Sequence, residues 1–226
     1  MAALPFTGGT TGVPKAAMLT HSNLVNNALQ AREAVGAVIN HETVMMSVLP
    51  LYHVYALSVC LNIAFAEGTT VVLVPKPDTS KMLKLVKKER VTVMPLVPTL
   101  FDALIKDPLI REVNLHSLKF CFSGAGKLNA DLQREFEAVT GAKILQGYGK
   151  SETSPIVSVN RIGASKYSTN EASSLGKPVL GTEMKVVDGE IWVRGPQVMK
   201  GYWRDQQRTD KVLMPDGWLR TQDMGY

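Results

Sequence analysis

Thr69-Thr70-Val71-Val72-Leu73-Val74, a span from Pro75 to Arg90, and then Val91-Thr92-Val93-Met94 form the stretch that sets the architecture. Two short β-branched runs flank a segment in which Thr79 or Ser80 can cap a helix carrying Met82, Leu83 and Val86. The same alternation extends to both sides. Apolar runs at Thr43 to Leu49, Leu118 to Phe122 and Lys143 to Leu145 predict further strands, separated by segments of helical periodicity or length. Strands alternating with helices imply an α/β fold, with a mostly parallel sheet flanked by helices.

The helices have their own punctuation. Thr20 or Ser22 can cap one that carries Leu24, Ala28, Leu29, Ala31 and Val35, and Gly141 closes another that runs from Leu128 to Thr140. In the latter, Leu128, Leu132, Phe136 and Val139 fall on one stripe. The most apolar run, Val54 to Ala66, is too short to cross ~30 Å of hydrocarbon and reads as a buried helix. After about Ile162 a polar segment, Ser165 to Ser174, leads into short strands separated by turns and Gly-Pro pairs. The expected organisation is therefore an α/β unit over residues 1–162 and a smaller β-rich, barrel-like unit over 163–226. Within the second unit, Asp188-Gly189 between Met184 to Val187 and Glu190 to Val193 is the sequence of a two-residue hairpin turn.

At 226 residues, 45% hydrophobic and 20% charged, the chain has the composition of a globular protein, and its +5 net charge is spread along the sequence. The one dense basic group, Lys84, Lys87, Lys88 and Arg90, sits on an expected helix and reads as a solvated face, not a nucleic-acid patch. Cys60 and Cys121 have no partner at metal-ligand spacing, so neither a zinc site nor a disulfide framework is indicated. A reducing, cytoplasmic setting without a transmembrane segment is the expectation, with peripheral membrane contact left open. Nothing in the pattern addresses oligomeric state.

The densest chemical signal is Phe6-Thr7-Gly8-Gly9-Thr10-Thr11-Gly12-Val13-Pro14-Lys15. Glycines let backbone N–H groups approach phosphate oxygens, hydroxyls add donors, and the lysine supplies charge, so the composition suits a polyphosphate. A Walker A loop is the obvious rival and is not met. Val13-Pro14 intervene between Gly12 and Lys15, and Ala16 stands where a magnesium-binding hydroxyl belongs. Pro14 biases Val13 away from helix, so this loop is not expected to run straight into a helix N-terminus.

The string closely resembles the phosphate loop of the adenylate-forming (AMP-binding) superfamily, which contains acyl-CoA synthetases, adenylation domains of nonribosomal peptide synthetases and firefly luciferase. Further matches follow in the family's order. Gly147-Tyr148-Gly149-Lys150-Ser151-Glu152 is similar to its Tyr-Gly-x-Thr/Ser-Glu motif. Gly189-Glu190-Ile191-Trp192-Val193-Arg194-Gly195 with Gly201-Tyr202-Trp203 resembles its Gly-Glu-aliphatic segment, and Gly217-Trp218-Leu219-Arg220-Thr221-Gln222-Asp223 its closing Thr-Gly-Asp motif. Ser123-Gly124-Ala125-Gly126-Lys127-Leu128 and Pro50-Leu51-Tyr52-His53 match two more motifs, although the former also reads as a plain strand-to-helix turn.

The resemblance implies roles. Thr7, Thr10, Thr11 and Lys15, with Gly8, Gly9 and Gly12 between them, would hold the β- and γ-phosphates of ATP. Tyr148, between Gly147 and Gly149, would pack against adenine, and Ser151 would bond the α-phosphate. Glu152 would hold Mg²⁺, Asp223 would accept from both ribose hydroxyls, and Gly124 and Ala125 would border the adenine and acyl pocket. His53 would lie beside the substrate carboxylate. Lys15, Glu152 and His53 are thus the candidate catalytic residues. Taken alone, Glu152 reads as a surface carboxylate, Tyr148 as core and His53 as structural.

Two departures bear on these roles. Ala16 replaces a glycine after the loop lysine, and Gln222 replaces the glycine of Thr-Gly-Asp. If Gln222 adopts φ > 0 it is strained by roughly 1 kcal/mol, which bears on the aim of Asp223. The longer loop that family members carry before Gly-Glu is also missing at Asp188-Gly189, through either a natural tight hairpin or residues absent from the sequence. The family's C-terminal domain, with its carboxylate-contacting lysine, has no counterpart in the chain. The implied parent reaction joins a carboxylic acid, a fatty acid favoured, to coenzyme A through an acyl-adenylate. An adenylation domain acting with a carrier protein and a non-catalytic nucleotide-binding fragment are the alternatives.

Overall fold

The alternation of strands and helices maps directly onto a sheet. The computed structural model describes residues 1–7, 14–161 and 174–226. Gly8, Gly9, Thr10, Thr11 and Gly12, and most of the polar segment 165–174, lie outside the described residues. A short antiparallel pair, β1 (Phe6–Thr7) and β2 (Lys15–Ala16), precedes helix α1 (His21–Val35) and strand β3 (Val44–Ser47). One continuous helical stretch follows: α2 (Val54–Ala56), a π-helical segment over Leu57–Ile63, and α3 (Ala64–Glu67). Next come β4 (Thr70–Leu73), α4 (Thr79–Glu89), β5 (Val93–Leu96), α5 (Pro98–Lys106), β6 (Phe120–Ser123), α6 (Ala130–Thr140) and β7 (Lys143–Gly149). Strands β8 (Ile156–Val159) and β9 (Lys177–Pro178) complete a seven-stranded sheet of order β4-β3-β5-β6-β7-β8-β9. It is parallel from β4 to β7 and antiparallel for the last two strands.

Beyond it, β10 (Glu183–Val187), β11 (Glu190–Arg194) and β12 (Leu219–Met224) form a separate antiparallel sheet, with α7 (Gln206–Val212) between the last two strands. Asp188 and Gly189, at φ 51° and 80°, close the β10–β11 hairpin with Val187 opposite Glu190. Two positive φ values in a two-residue loop match the right-handed twist of the strands it joins. The seventh strand of the large sheet lies at 177–178, so that sheet reaches past the compositional change at Ile162. Helix α7 was not expected; Asp205 caps it by accepting from the Arg208 N–H at 3.0 Å.

Local details correct other expectations. Helix α4 is capped by Asp78, whose carboxylate accepts from the Lys81 N–H at 2.9 Å. The Thr79 and Ser80 hydroxyls instead donate to Asp107 Oδ2, each at 2.7 Å. Asn129 caps α6, which therefore starts at Ala130 and not at Leu128. Phe65, inside the run expected to be buried, is exposed. In α1, Thr20 is the cap, but Leu29 is 48% exposed, and the buried face carries Asn23, Asn27 and Gln30.

That polar face has a cause, because α1 packs partly against backbone that needs donors and acceptors. Asn27 donates to Ile156 O at 2.7 Å and accepts from Ile156 N at 2.9 Å. Gln30 donates to Leu180 O at 2.6 Å, and Asn23 to Pro196 O at 2.7 Å and Val198 O at 2.9 Å. These bonds tie the large sheet to the chain leading into and out of the small one.

Elsewhere the core is apolar. Met45, Met94, Leu96 and Cys121 on the parallel strands are buried, and Phe101 meets Phe136 edge-on at 5.0 Å between α5 and α6. Cys60 and Cys121 are free and buried, and burial pushes the Cys60 thiol up to about 11. Among the described residues no helix is long and apolar enough to cross a membrane.

Candidate active site

A cleft of about 1490 Å³ opens where β6 and β7 end and runs to the small sheet. Thr7, Lys15, His53, Gly124, Ala125, Gly147, Tyr148, Gly149, Ser151, Glu152 and Asp223 all line it. Ligands in α/β sheets gather outside the carboxyl ends of the strands, and this cleft obeys that rule.

Lys15 reaches the cleft from β2, where it pairs with Thr7 across the β1–β2 ladder. It sits in a strand and not at a helix N-terminus, in keeping with the effect expected of Pro14. Its ammonium lies 5.1 Å from the centroid of the Tyr202 ring. Glu152, on a 3-10 turn over Ser151–Thr153, is only 6% exposed and accepts from the Tyr202 hydroxyl through Oε1 at 2.7 Å. Burial, and then the Glu152 charge, push the Tyr202 phenol up, so it keeps its proton and donates. Tyr202 is itself held by Thr209, whose hydroxyl accepts its backbone N–H at 2.8 Å. A cation and a buried carboxylate from distant parts of the chain thus meet at one tyrosine.

A second group forms around Asp223. Its Oδ2 accepts from the Tyr148 hydroxyl at 2.7 Å and from Lys150 Nζ at 3.1 Å, and Lys150 also donates to Thr221 O at 2.7 Å. Burial, first of several causes, raises the Tyr148 phenol and keeps it protonated. Gln222 has φ 62°, the left-handed conformation expected to strain any residue but glycine there. Its N–H donates to Glu190 Oε1 at 2.9 Å, and Arg220 holds Glu190 Oε2 through Nε at 3.1 Å and Nη2 at 2.9 Å.

His53 stands along the same cleft and caps α2, its Nδ1 accepting from the Tyr55 N–H at 3.2 Å. Partial burial lowers its pKa, so at neutral pH the ring is uncharged and carries its proton on Nε2. Its hydrogen bond goes to its own helix, not to Lys15 or Glu152. Next to it, Tyr55 is buried and donates to Phe122 O at 3.1 Å. A Cβ on Gly124 would come within 3.1 Å of the Tyr55 ring, a tight contact that the ring would have to relieve by shifting a few tenths of an ångström.

Among the described residues no group of three or more His, Cys, Asp or Glu could hold a metal ion by itself. Mg²⁺ does not require one, since one or two carboxylates plus substrate phosphates suffice, and Glu152 is a buried carboxylate of that kind.

A family model described as AMP-binding enzyme matches residues 1–203. The chain belongs to that family. The long-chain-fatty-acid–CoA ligase of Bacillus subtilis (strain 168) is 37% identical over 238 residues, covering 100% of this chain and 42% of the ligase. The 4-coumarate–CoA ligase 2 of Solanum tuberosum is 36% identical over 239 residues, covering 99% and 44%. The crystal structure of ATP-bound MatB from Rhodopseudomonas palustris superposes with a TM-score of 0.90 at 32% identity, over 100% of this chain and 45% of that one. The chain therefore spans less than half the length of these relatives.

In this AMP-binding enzyme chain, several side chains of structural consequence escaped sequence reasoning. Tyr202 lies inside a motif that implies no role for it, and Lys150 occupies a variable motif position. Glu190 and Tyr55 act on a backbone N–H and a glycine, contacts that no spacing rule signals. Tyr202→Phe tests the first of these. Removing the hydroxyl takes a donor from a buried carboxylate, and the expected loss is about 1–3 kcal/mol in urea unfolding. A loss within error would mean that Glu152 is satisfied without Tyr202.

Proposed function

We propose that this chain is the nucleotide- and acid-binding core of a ligase that activates a carboxylic acid with ATP and passes the acyl group to coenzyme A. A carboxylate oxygen of the acid attacks the α-phosphorus, the bond to the bridging oxygen breaks, and pyrophosphate leaves. The thiol sulfur of coenzyme A then attacks the acyl carbon, losing its proton, and AMP departs with the C–O bond electrons. The observation that carries this reading is the meeting of Lys15 and Glu152 at Tyr202 in one cleft.

In this reading Lys15, with Thr7, Thr10 and Thr11, binds the β- and γ-phosphates and then the pyrophosphate. Charge placed in advance where it develops in the transition state is an effective catalyst. Mg²⁺ held by Glu152 would supply further neutralisation of the phosphate oxygens. Ser151 donates to the α-phosphate, Tyr148 packs against adenine, and Asp223 accepts from the ribose. His53 offers its Nε2–H to the acid carboxylate. Residues 1–162 then bind nucleotide and acyl group, and 163–226 complete the AMP site.

A hydrophobic acid, fatty or aryl, is supported by the apolar side chains Ala31, Val35, Ile39, Val59 and Ile63 in the lining of the cleft. The fatty-acid and 4-coumarate ligases among the relatives agree with that chemistry.

Pyrophosphate exchange into ATP across a panel of carboxylic acids tests the proposal. The full-length parent should exchange with hydrophobic acids, and Lys15→Ala should lower the rate about 100-fold, the scale of losing one preorganised charge. An unchanged rate rejects the loop assignment. A second reading is a binding fragment without turnover. It predicts ATP binding but negligible exchange by residues 1–226 alone, and brisk exchange by them would reject it.

A further inference from the structure

We propose that Lys150 makes the cleft selective for a nucleotide with an intact ribose diol, by positioning the carboxylate of Asp223. The inference rests on the nucleotide reading above. It begins from the fact that Asp223 follows a residue whose backbone is strained, Gln222 at φ 62°. Glu190 holds the Gln222 N–H at 2.9 Å, which fixes the main chain, yet two side-chain torsions of Asp223 stay free.

Lys150 removes that freedom. Its ammonium donates to Asp223 Oδ2 at 3.1 Å and to Thr221 O at 2.7 Å, bracing the carboxylate against the strand that carries it. Tyr148 donates to the same oxygen at 2.7 Å. Two donors occupy the acceptor positions of Oδ2, so Oδ1 is the oxygen left for a ligand. An ionised carboxylate only accepts, and a vicinal diol offers two donors side by side. Because Lys150 and the ligand use different oxygens, binding need not break the ion pair. Tyr148 alone does not suffice, because a neutral hydroxyl forms no ion pair with the carboxylate. Lys150 therefore acts through Asp223 as a positioning residue.

Calorimetric titration of the 226-residue chain with AMP and with 2′,3′-dideoxy-AMP reads the effect directly. The wild type should prefer AMP by about tenfold, and Lys150→Met should reduce the preference to about twofold or less, chiefly by weakening AMP. Lys150→Arg should retain most of it. Lys150→Gln replaces the methionine variant if melting curves show that variant unfolded. Equal weakening of both nucleotides, or an unchanged preference, would overturn the inference while leaving the nucleotide reading intact. Lack of preference in the wild type would overturn the diol-binding role of Asp223, and this inference with it.

Discussion

Glu152→Gln should leave the chain folded and remove most of the magnesium dependence of its ATP binding. The side chain is 6% exposed and holds the Tyr202 hydroxyl through Oε1 at 2.7 Å. Glutamine keeps an oxygen acceptor of the same shape, so the hydrogen bond to Tyr202 survives. What disappears is the negative charge. Mg²⁺ is bound through carboxylates together with phosphates and keeps the rest of its water shell, so losing this buried carboxylate should be felt strongly. Interactions with charged groups set a scale of roughly 10- to 100-fold in the affinity for the magnesium complex. Titrations of ATP with and without Mg²⁺, in wild type and variant, measure it. If the variant gains as much from Mg²⁺ as the wild type does, the metal lies elsewhere.

Gly149→Ala should be among the costliest single methyls that can be added to the cleft wall. A Cβ there would lie 2.1 Å from Pro155 O and 2.7 Å from its carbonyl carbon. Both atoms belong to the backbone and cannot rotate away. Relief requires moving the chain that pairs Gly149 with Ile156 and that lets Lys150 N donate to Pro155 O at 3.0 Å. Overpacking of this kind costs about 3 kcal/mol, or roughly 6–12 °C in Tm for a chain of this size. Thermal unfolding followed by circular dichroism is the measurement. A drop under about 2 °C would mean that the β7–β8 turn has slack its contacts do not suggest.

The large sheet was legible because parallel strands buried on both faces read as near-continuous apolar runs, as Val91 to Met94 and Leu118 to Phe122 do. Helices with apolar stripes, such as α4 with Met82, Leu83 and Val86, were equally plain. Helix α1 was read less well, since Asn23, Asn27 and Gln30 look like solvent-facing residues until their distant backbone partners are known. Caps went to the residue whose competitors were engaged elsewhere, as Asp78 shows against Thr79 and Ser80. The π-helical segment left no periodic trace in a run that is apolar throughout.

Of the site, the motif residues were visible and the residues that brace them were not. Lys15 stands in a string whose composition suits a polyphosphate, and Glu152 and Asp223 stand in strings that resemble family motifs. Tyr202, Lys150 and Glu190 reach across the fold, and sequence separation hides such pairs. Gln222 is the instructive middle case, because a substitution seen in the string identified a backbone strain later found at φ 62°.

The polar seam of α1 has a consequence for how this family member can vary. Its amides address main-chain atoms of Ile156, Leu180, Pro196 and Val198, and every amino acid presents the same carbonyl. Side chains at those four places can therefore drift without loosening the join, whereas a one-residue insertion or deletion beside any of them would slide the wrong atom under the amide. The joint between the two sheets tolerates changes of spelling but not of length.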